Sequence, residues 1–176
     1  MACAAVALGL TFVPAQGAVA ATDTGGTAFS SAKQPAREVA GPRARVNRAG
    51  IAAAPAGAPA AVKAIIAAGN RIATKAYRYG GGHGSWKDSG YDCSGSVSYA
   101  LHGAGLLKAS MASGGFMNWG KKGRGKWVTI YAQGGHMYMV VAGLRFDTSG
   151  LSSAGSRWQK EMRPTQGYAV RHPAGL

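Results

Sequence analysis

Acidic residues are scarce in this chain of 176 residues: six Asp and Glu stand against 20 Lys and Arg, for a formal charge of +14. Such an imbalance favours anionic surfaces and polymers as partners and carries no information about fold. Cysteine is scarcer still, with Cys3 and Cys93 alone, so a disulfide framework is excluded. The four histidines, His83, His102, His136 and His172, are scattered without ligand spacing. No metal is therefore expected. No apolar run reaches the roughly 20 residues of a membrane-spanning helix, and there is no internal repeat.

What is present first is an export pattern. Cys3 to Val13 is apolar apart from Gly9 and Thr11, Pro14 ends the run, and Ala18-Val19-Ala20 supplies a small-x-small cleavage pattern. Residues 1–21 read as a signal peptide, although no Lys or Arg precedes the run. Removing it removes Cys3 and leaves Cys93 as a lone thiol in a secreted protein, which calls for an explanation such as catalysis. Residues 22–59 follow, rich in Ala, Gly, Pro, Ser and Thr, with Arg37, Arg43, Arg45 and Arg48. Such a composition buries too little apolar surface to offset its chain entropy, so a flexible basic linker is expected there. That leaves residues 60–176 as the folded domain.

Within that domain, Ala60 to Tyr77 places Val62, Ile65, Ile66, Gly69, Ile72, Ala73 and Ala76 on one helical face. Tyr77-Arg78-Tyr79-Gly80-Gly81-Gly82 then breaks the helix. A second helix follows Asp92, a good N-cap, with Val97, Ala100, Leu101 and Ala104 at helical spacing and Gly103 or Gly105 to end it. Residues 111–125 are glycine-rich and irregular, with Lys121, Lys122, Arg124 and Lys126 clustered as a solvated loop or a contact for an anionic polymer. Trp127–Tyr131, Met137–Ala142 and Leu144–Thr148 read as strands of an antiparallel meander, and Tyr168–Arg171 as a short last strand. The fold expected is α+β, with the N-terminal helices packed on an antiparallel sheet.

Cys93 falls at the start of the second helix, where free amides stabilise a thiolate, the nucleophilic form of the residue. Its bland alternative is a small buried hydrophobe. If Ala142-Gly143 forms a two-residue turn, Tyr138 pairs with Asp147 and His136 with Ser149, which puts His136 and Asp147 on one sheet face as diagonal neighbours. A slip of one residue would separate them. The set Cys93, His136 and Asp147 is then nucleophile, base and orienter of a cysteine hydrolase. The alternatives are a structural histidine and a turn carboxylate. The amides of Cys93 and Ser94, with the Tyr77 hydroxyl, are candidates to hold an oxyanion. His83, in a glycine loop, His102, in the cysteine helix, and His172, beside Pro173, are weaker candidates for the base.

Three stretches together resemble the NlpC family of papain-like bacterial cell-wall cysteine peptidases: Tyr77-Arg78-Tyr79-Gly80-Gly81, Tyr91-Asp92-Cys93-Ser94-Gly95-Ser96-Val97, and Gly135-His136-Met137-Tyr138-Met139-Val140. A polar third residue about a dozen positions after the histidine completes the pattern, and Asp147 lies eleven after His136. The resemblance covers about 60–148. It implies a papain-like arrangement, with the cysteine on the helical half and the histidine on the sheet. It also implies hydrolysis of peptidoglycan stem peptides without a cofactor, with Tyr77 assisting the oxyanion and Ser94 contacting substrate. Peptidoglycan and anionic wall polymers are the implied partners of a secreted, wall-associated monomer; nucleic acid is not expected, nor is a stable membrane span. The chain departs from the family in its longer loop between Gly82 and Cys93, in Lys126–Ile130 where Pro-Gly-Asp-Leu is usual, and in Asp at the third position. Two other readings remain: a related exported thiol amidase or acyltransferase of the same fold, and a non-catalytic envelope-binding protein.

N-terminal sequencing of exported protein should give a start near Ala21 or Thr22; an intact cytoplasmic chain beginning at Met1 would contradict the signal-peptide reading.

Overall fold

The computed structural model describes residues 1–2 and 38–176. The body of the expected signal peptide and residues 22–37 of the expected linker lie outside the described residues. Residues 38–59 do not behave as a linker: they fold with everything that follows. Glu38–Val39 (β1) and Arg45–Val46 (β2) flank Ala52–Pro55 (β3), parallel on one side and antiparallel on the other. Ala44, Ala52, Ala54 and Ala58 are buried in the main core. Small side chains misled the composition argument, because a run of alanines can pack closely where larger groups would not fit.

The attachment has a specific polar component as well. Asn70 accepts from the Ala52 amide at 2.9 Å and donates to the Ala52 carbonyl at 2.8 Å, so its side-chain amide pairs with β3 as a neighbouring strand would. Asn70 belongs to α1, Ala60–Ile72, whose buried face is Val62, Ile65, Ile66, Ala68, Gly69 and Ile72. The helix stops five residues before Tyr77. Beyond Ile72 the backbone carbonyls are taken by a side chain from far along the chain. Arg157 donates to the carbonyls of Ile72 (2.7 Å), Lys75 (2.5 Å), Ala76 (3.3 Å) and Tyr91 (2.9 Å), and to Ser96 Oγ (2.8 Å).

Cys93–Gly103 forms α2, which packs along α1. Its C-terminus closes as a Schellman turn: Leu106 N–H donates to Leu101 O and Gly105 N–H, from a left-handed residue, to His102 O. A short α3, Ser113–Phe116, follows. The main sheet has six antiparallel strands in the order β4-β9-β5-β6-β7-β8. These are Lys121–Lys122 (β4), Val128–Ala132 (β5), Met137–Val141 (β6), Leu144–Phe146 (β7), Trp158–Gln159 (β8) and Ala169–His172 (β9). Between β7 and β8 lie a 3-10 turn, Thr148–Gly150, and a helical turn α4, Leu151–Ala154. The architecture is α+β, helices against an antiparallel sheet, as expected.

The meander β5-β6-β7 follows the anticipated register. Met139 pairs with Phe146, Val140 with Arg145 and Val141 with Leu144. Ala142 and Gly143 make the two-residue turn with both φ angles positive, 47° and 83°, as a type I′ hairpin requires. The tail, read as loop until Tyr168, instead adds β8 as an edge strand and carries Arg157 and Trp158 into the interior. Trp158 packs on Phe146 and fits over α1 at Gly69, where a Cβ would clash with its ring. Among the described residues no helix is long and apolar enough to cross a membrane.

Deleting residues 38–58 should destabilise the domain by about 3 kcal/mol or more, from lost alanine burial and an orphaned Asn70 amide. Thermal denaturation checks this; an unchanged midpoint would restore the linker reading.

Candidate active site

Asp92 sets the start of α2. Its backbone is extended and its Oδ1 accepts from the Gly95 amide at 2.7 Å, the N-cap bond. Oδ1 also receives the Ser94 hydroxyl, and Oδ2 the Gly80 amide, both at 3.1 Å. The Tyr-x-x-Gly-Gly loop is thereby tied to the cysteine helix. Its backbone approaches so closely that a Cβ on Gly95 would collide with the Gly81 carbonyl, which accounts for the glycine two residues after the cysteine. The Gly95 and Ser96 amides are satisfied by Asp92, while those of Cys93 and Ser94, in the first helical turn, have no intrahelical acceptor. Both are free to donate to a developing oxyanion.

Cys93 is half-buried at this helix end. Opposite it stands His136, one residue before β6. Burial opposes ionisation of the thiol, but the hydrogen bond to His136, the Met137 amide and the imidazole charge outweigh it and lower its pKa. Asp92 works weakly in the other direction. The imidazole Nε2 lies 3.0 Å from Asp147 Oδ1, which leaves Nδ1 for the sulfur. Its pKa is raised to about 9, chiefly by the hydrogen bond to Asp147 and then by that to Cys93, against desolvation. Asp147 is fully enclosed, its side chain 0% exposed. Burial alone would favour the neutral acid, but bonds from His136 and from the Ser149 amide, 2.9 Å away, hold its carboxyl well below the usual carboxylate range.

The three residues singled out in the sequence are therefore brought together, each from the element anticipated for it. Tyr77 also lies nearby. It is 52% exposed, and its pKa is raised by partial burial and then by the charges of Cys93 and Asp92. Ser94 is buried with its hydroxyl turned toward Asp92 and His83. The remaining histidines are committed elsewhere. His83 Nε2 bridges Asp92 Oδ1 and Ser94 Oγ at 3.1 Å, and its Nδ1 meets Ser110 Oγ at 3.0 Å. His102 stacks on Trp86, and both His102 and His172 donate Nδ1–H to backbone carbonyls. Among the described residues no three of His, Cys, Asp and Glu gather to form a metal site.

Two arginines that sequence reasoning passed over flank Asp147. Arg163 Nη1 donates to Oδ2 at 3.1 Å, and Arg145 Nε lies 3.5 Å from the same oxygen while Nη2 donates to Gln159 Oε1. Arg145 was legible in principle, since residues 145 and 147 share a face of an extended strand. Arg163 gives no sequence signal, as it arrives from the loop between β8 and β9. The long loop after Gly82 is braced by Asp88, which accepts from the Gly82 amide and pairs with Arg78, and by Tyr91, whose hydroxyl donates to the Trp86 carbonyl.

No protein-family model matches this chain, and no curated protein does. A solved structure described as a hypothetical invasion protein of Mycobacterium tuberculosis, Rv1477, is similar over 63% of this chain and 61% of its own, with 23% identity and a TM-score of 0.45.

Alkylation of Cys93 by iodoacetamide at pH 6 should be much faster than that of a free thiol of pKa about 8.5. The ion pair forms once pH exceeds the lowered thiol pKa and dissolves as pH passes about 9, where His136 loses its proton. His136→Ala should slow the pH 6 rate at least tenfold. Equal rates in variant and wild type would remove His136 from the thiol's environment.

Proposed function

We propose that the protein is an NlpC-like cell-wall cysteine peptidase that cleaves amide bonds in peptidoglycan stem peptides. The observation that carries this reading is a cysteine at an amide-rich helix end facing a histidine held by a buried carboxylate. The Cys93 thiolate adds to the scissile carbonyl, and the oxyanion takes hydrogen bonds from the free Cys93 and Ser94 amides. Tyr77 Oη, at the open edge of the site, is a further donor. The His136 imidazolium then gives its proton to the leaving amine as the tetrahedral adduct collapses to a thioester. Water, deprotonated by the neutral His136, attacks the thioester; the acid leaves and the thiolate–imidazolium pair is restored.

The rest of the reading follows from charge and sequence pattern. A basic exterior suits anionic wall polymers, and the signal-like N-terminus suits export to them; the enzyme acts as a monomer. Transfer to an amine in place of water would make the same site an acyltransferase. A purely binding role is disfavoured by Asp147, whose desolvation is unnecessary for binding at a distance.

Digestion of purified sacculi tests the proposal. Wild type should release shorter stem peptides and new amino groups with glycan chains uncut. Cys93→Ala should lose turnover by at least a thousandfold while still sedimenting with sacculi. Cleavage by Cys93→Ala, or cut glycan with intact stems, would overturn it.

A further inference from the structure

The carboxylate of Asp147 has two oxygens with different tasks. Oδ1 serves His136 and the Ser149 amide. Oδ2 faces a pair of guanidinium groups, with the Arg163 contact the shorter. Arg163 also donates Nη1–H to Ser149 Oγ at 2.8 Å, gripping the carboxylate and the turn that caps it. Two aromatic faces hold the guanidinium in place: its carbon lies 5.5 Å from the Tyr138 ring centroid and 5.8 Å from that of Tyr168. Tyr138 itself stacks on Tyr131 and meets Tyr168 edge-on. A side chain 30% exposed, on a loop, is thus fixed from three sides.

We propose that Arg163 is a positioning residue of the active site. It pins Oδ2 of Asp147 so that Oδ1 alone meets His136, and its charge bears on the Cys93–His136 pair through that carboxylate. This deepens the cysteine-peptidase reading and rests on it. The groups around the histidine are Cys93 from α2 and Asp92 at its N-cap, Tyr77 from the loop before it, Tyr138 from β6, Arg145 and Asp147 at β7, and Arg163 and Tyr168 from the β8–β9 loop. Of these, Arg145 and Arg163 are the cations. A cation beside the pair stabilises the thiolate and opposes the imidazolium, so its removal raises the midpoints of both titrations. The geometry also explains aspartate at the third position. An asparagine would turn its amide nitrogen either to His136 or to two guanidinium groups, and only the carboxylate accepts on both sides.

Iodoacetamide alkylation of Cys93 across pH reads the proposal without any substrate. In Arg163→Gln both limbs of the profile should move up by about half a unit to one unit. Arg163→Lys should return most of that shift, because it restores charge, yet turnover on sacculi should stay several-fold below wild type, because an ammonium lacks the planar guanidinium that the Tyr138 and Tyr168 rings hold in place. A folded Arg163→Gln with unmoved limbs overturns the proposal, as does a lysine variant indistinguishable from the glutamine variant. Should Arg163→Gln fail to fold, Arg163→Lys decides: limbs near wild type with reduced turnover support the role, and a shift of a full unit or more refutes the charge argument. If the peptidase reading fails instead, wild type shows no turnover while the alkylation limbs still respond to Arg163.

Discussion

A single buried guanidinium joins the two halves of this domain. Arg157 is 0% exposed and among the described residues has no carboxylate partner; its N–H groups go to four backbone carbonyls and one hydroxyl. Desolvation lowers its pKa to about 10, which still leaves it charged at neutral pH. Carbonyls at the C-terminal end of α1 carry partial negative charge, so a cation there is favoured by the helix dipole as well as by hydrogen bonding. The same side chain reaches Tyr91 and Ser96 at the start of α2. Its own backbone amide donates to Ala73 O and its carbonyl accepts from Asp147 N–H. One residue therefore fixes where α1 ends, where α2 begins, and where the third member of the site sits. The alternative, a row of carbonyls buried without donors, would cost about 1–3 kcal/mol each.

The scarcity of acidic residues takes on meaning beside this. Asp92 and Asp147 are both buried at the site, one capping the cysteine helix and the other holding the histidine. Glu38 pairs with Lys63 and Asp88 with Arg78. Little negative charge is left to offset the basic exterior, while the two carboxylates inside each organise a cluster of donors. The protein thus keeps a strongly positive surface while its two buried carboxylates are each compensated by nearby donors. The Asp147–His136 pair also links stability to pH. The histidine contribution is fully present below about 6.5 and is lost as pH rises through about 9. The aspartate contribution is present above about 3.9 and is lost as pH falls below it.

Much of the site could be read from the chain because its determinants are local. Asp-Cys-Ser-Gly announces a capped helix with a thiol in its first turn, and a two-residue turn at Ala142-Gly143 sets a hairpin register that puts His136 beside Asp147. What escaped was non-local. Ala52 and Ala54 give no periodic signal, and only the Asn70 amide and the core behind them show why 52–55 is a strand. Arg157 and Trp158 lie in a segment with no alternation, and their burial depends on carbonyls some eighty residues earlier. Arg163 meets Asp147 only through a loop whose path no periodicity encodes. Sequence patterns report faces of elements; they do not report which distant backbone a long side chain will find.

The Ala142–Gly143 turn also has a consequence for how such a chain can vary over time. Side chains alternate across a strand with period two, so the eleven-residue separation of His136 and Asp147 acts as a ruler with odd parity. With the two-residue turn kept, one residue gained or lost within either strand would carry Asp147 to the face opposite His136, away from the imidazole, while leaving the hairpin itself able to form. Changes of length are therefore better tolerated in other places, such as the loop between Gly82 and Asp88, whose ends are pinned together by a side-chain bond. Among descendants of this sequence, the spacing between histidine and carboxylate would drift more slowly than the identity of either strand's outward-facing residues.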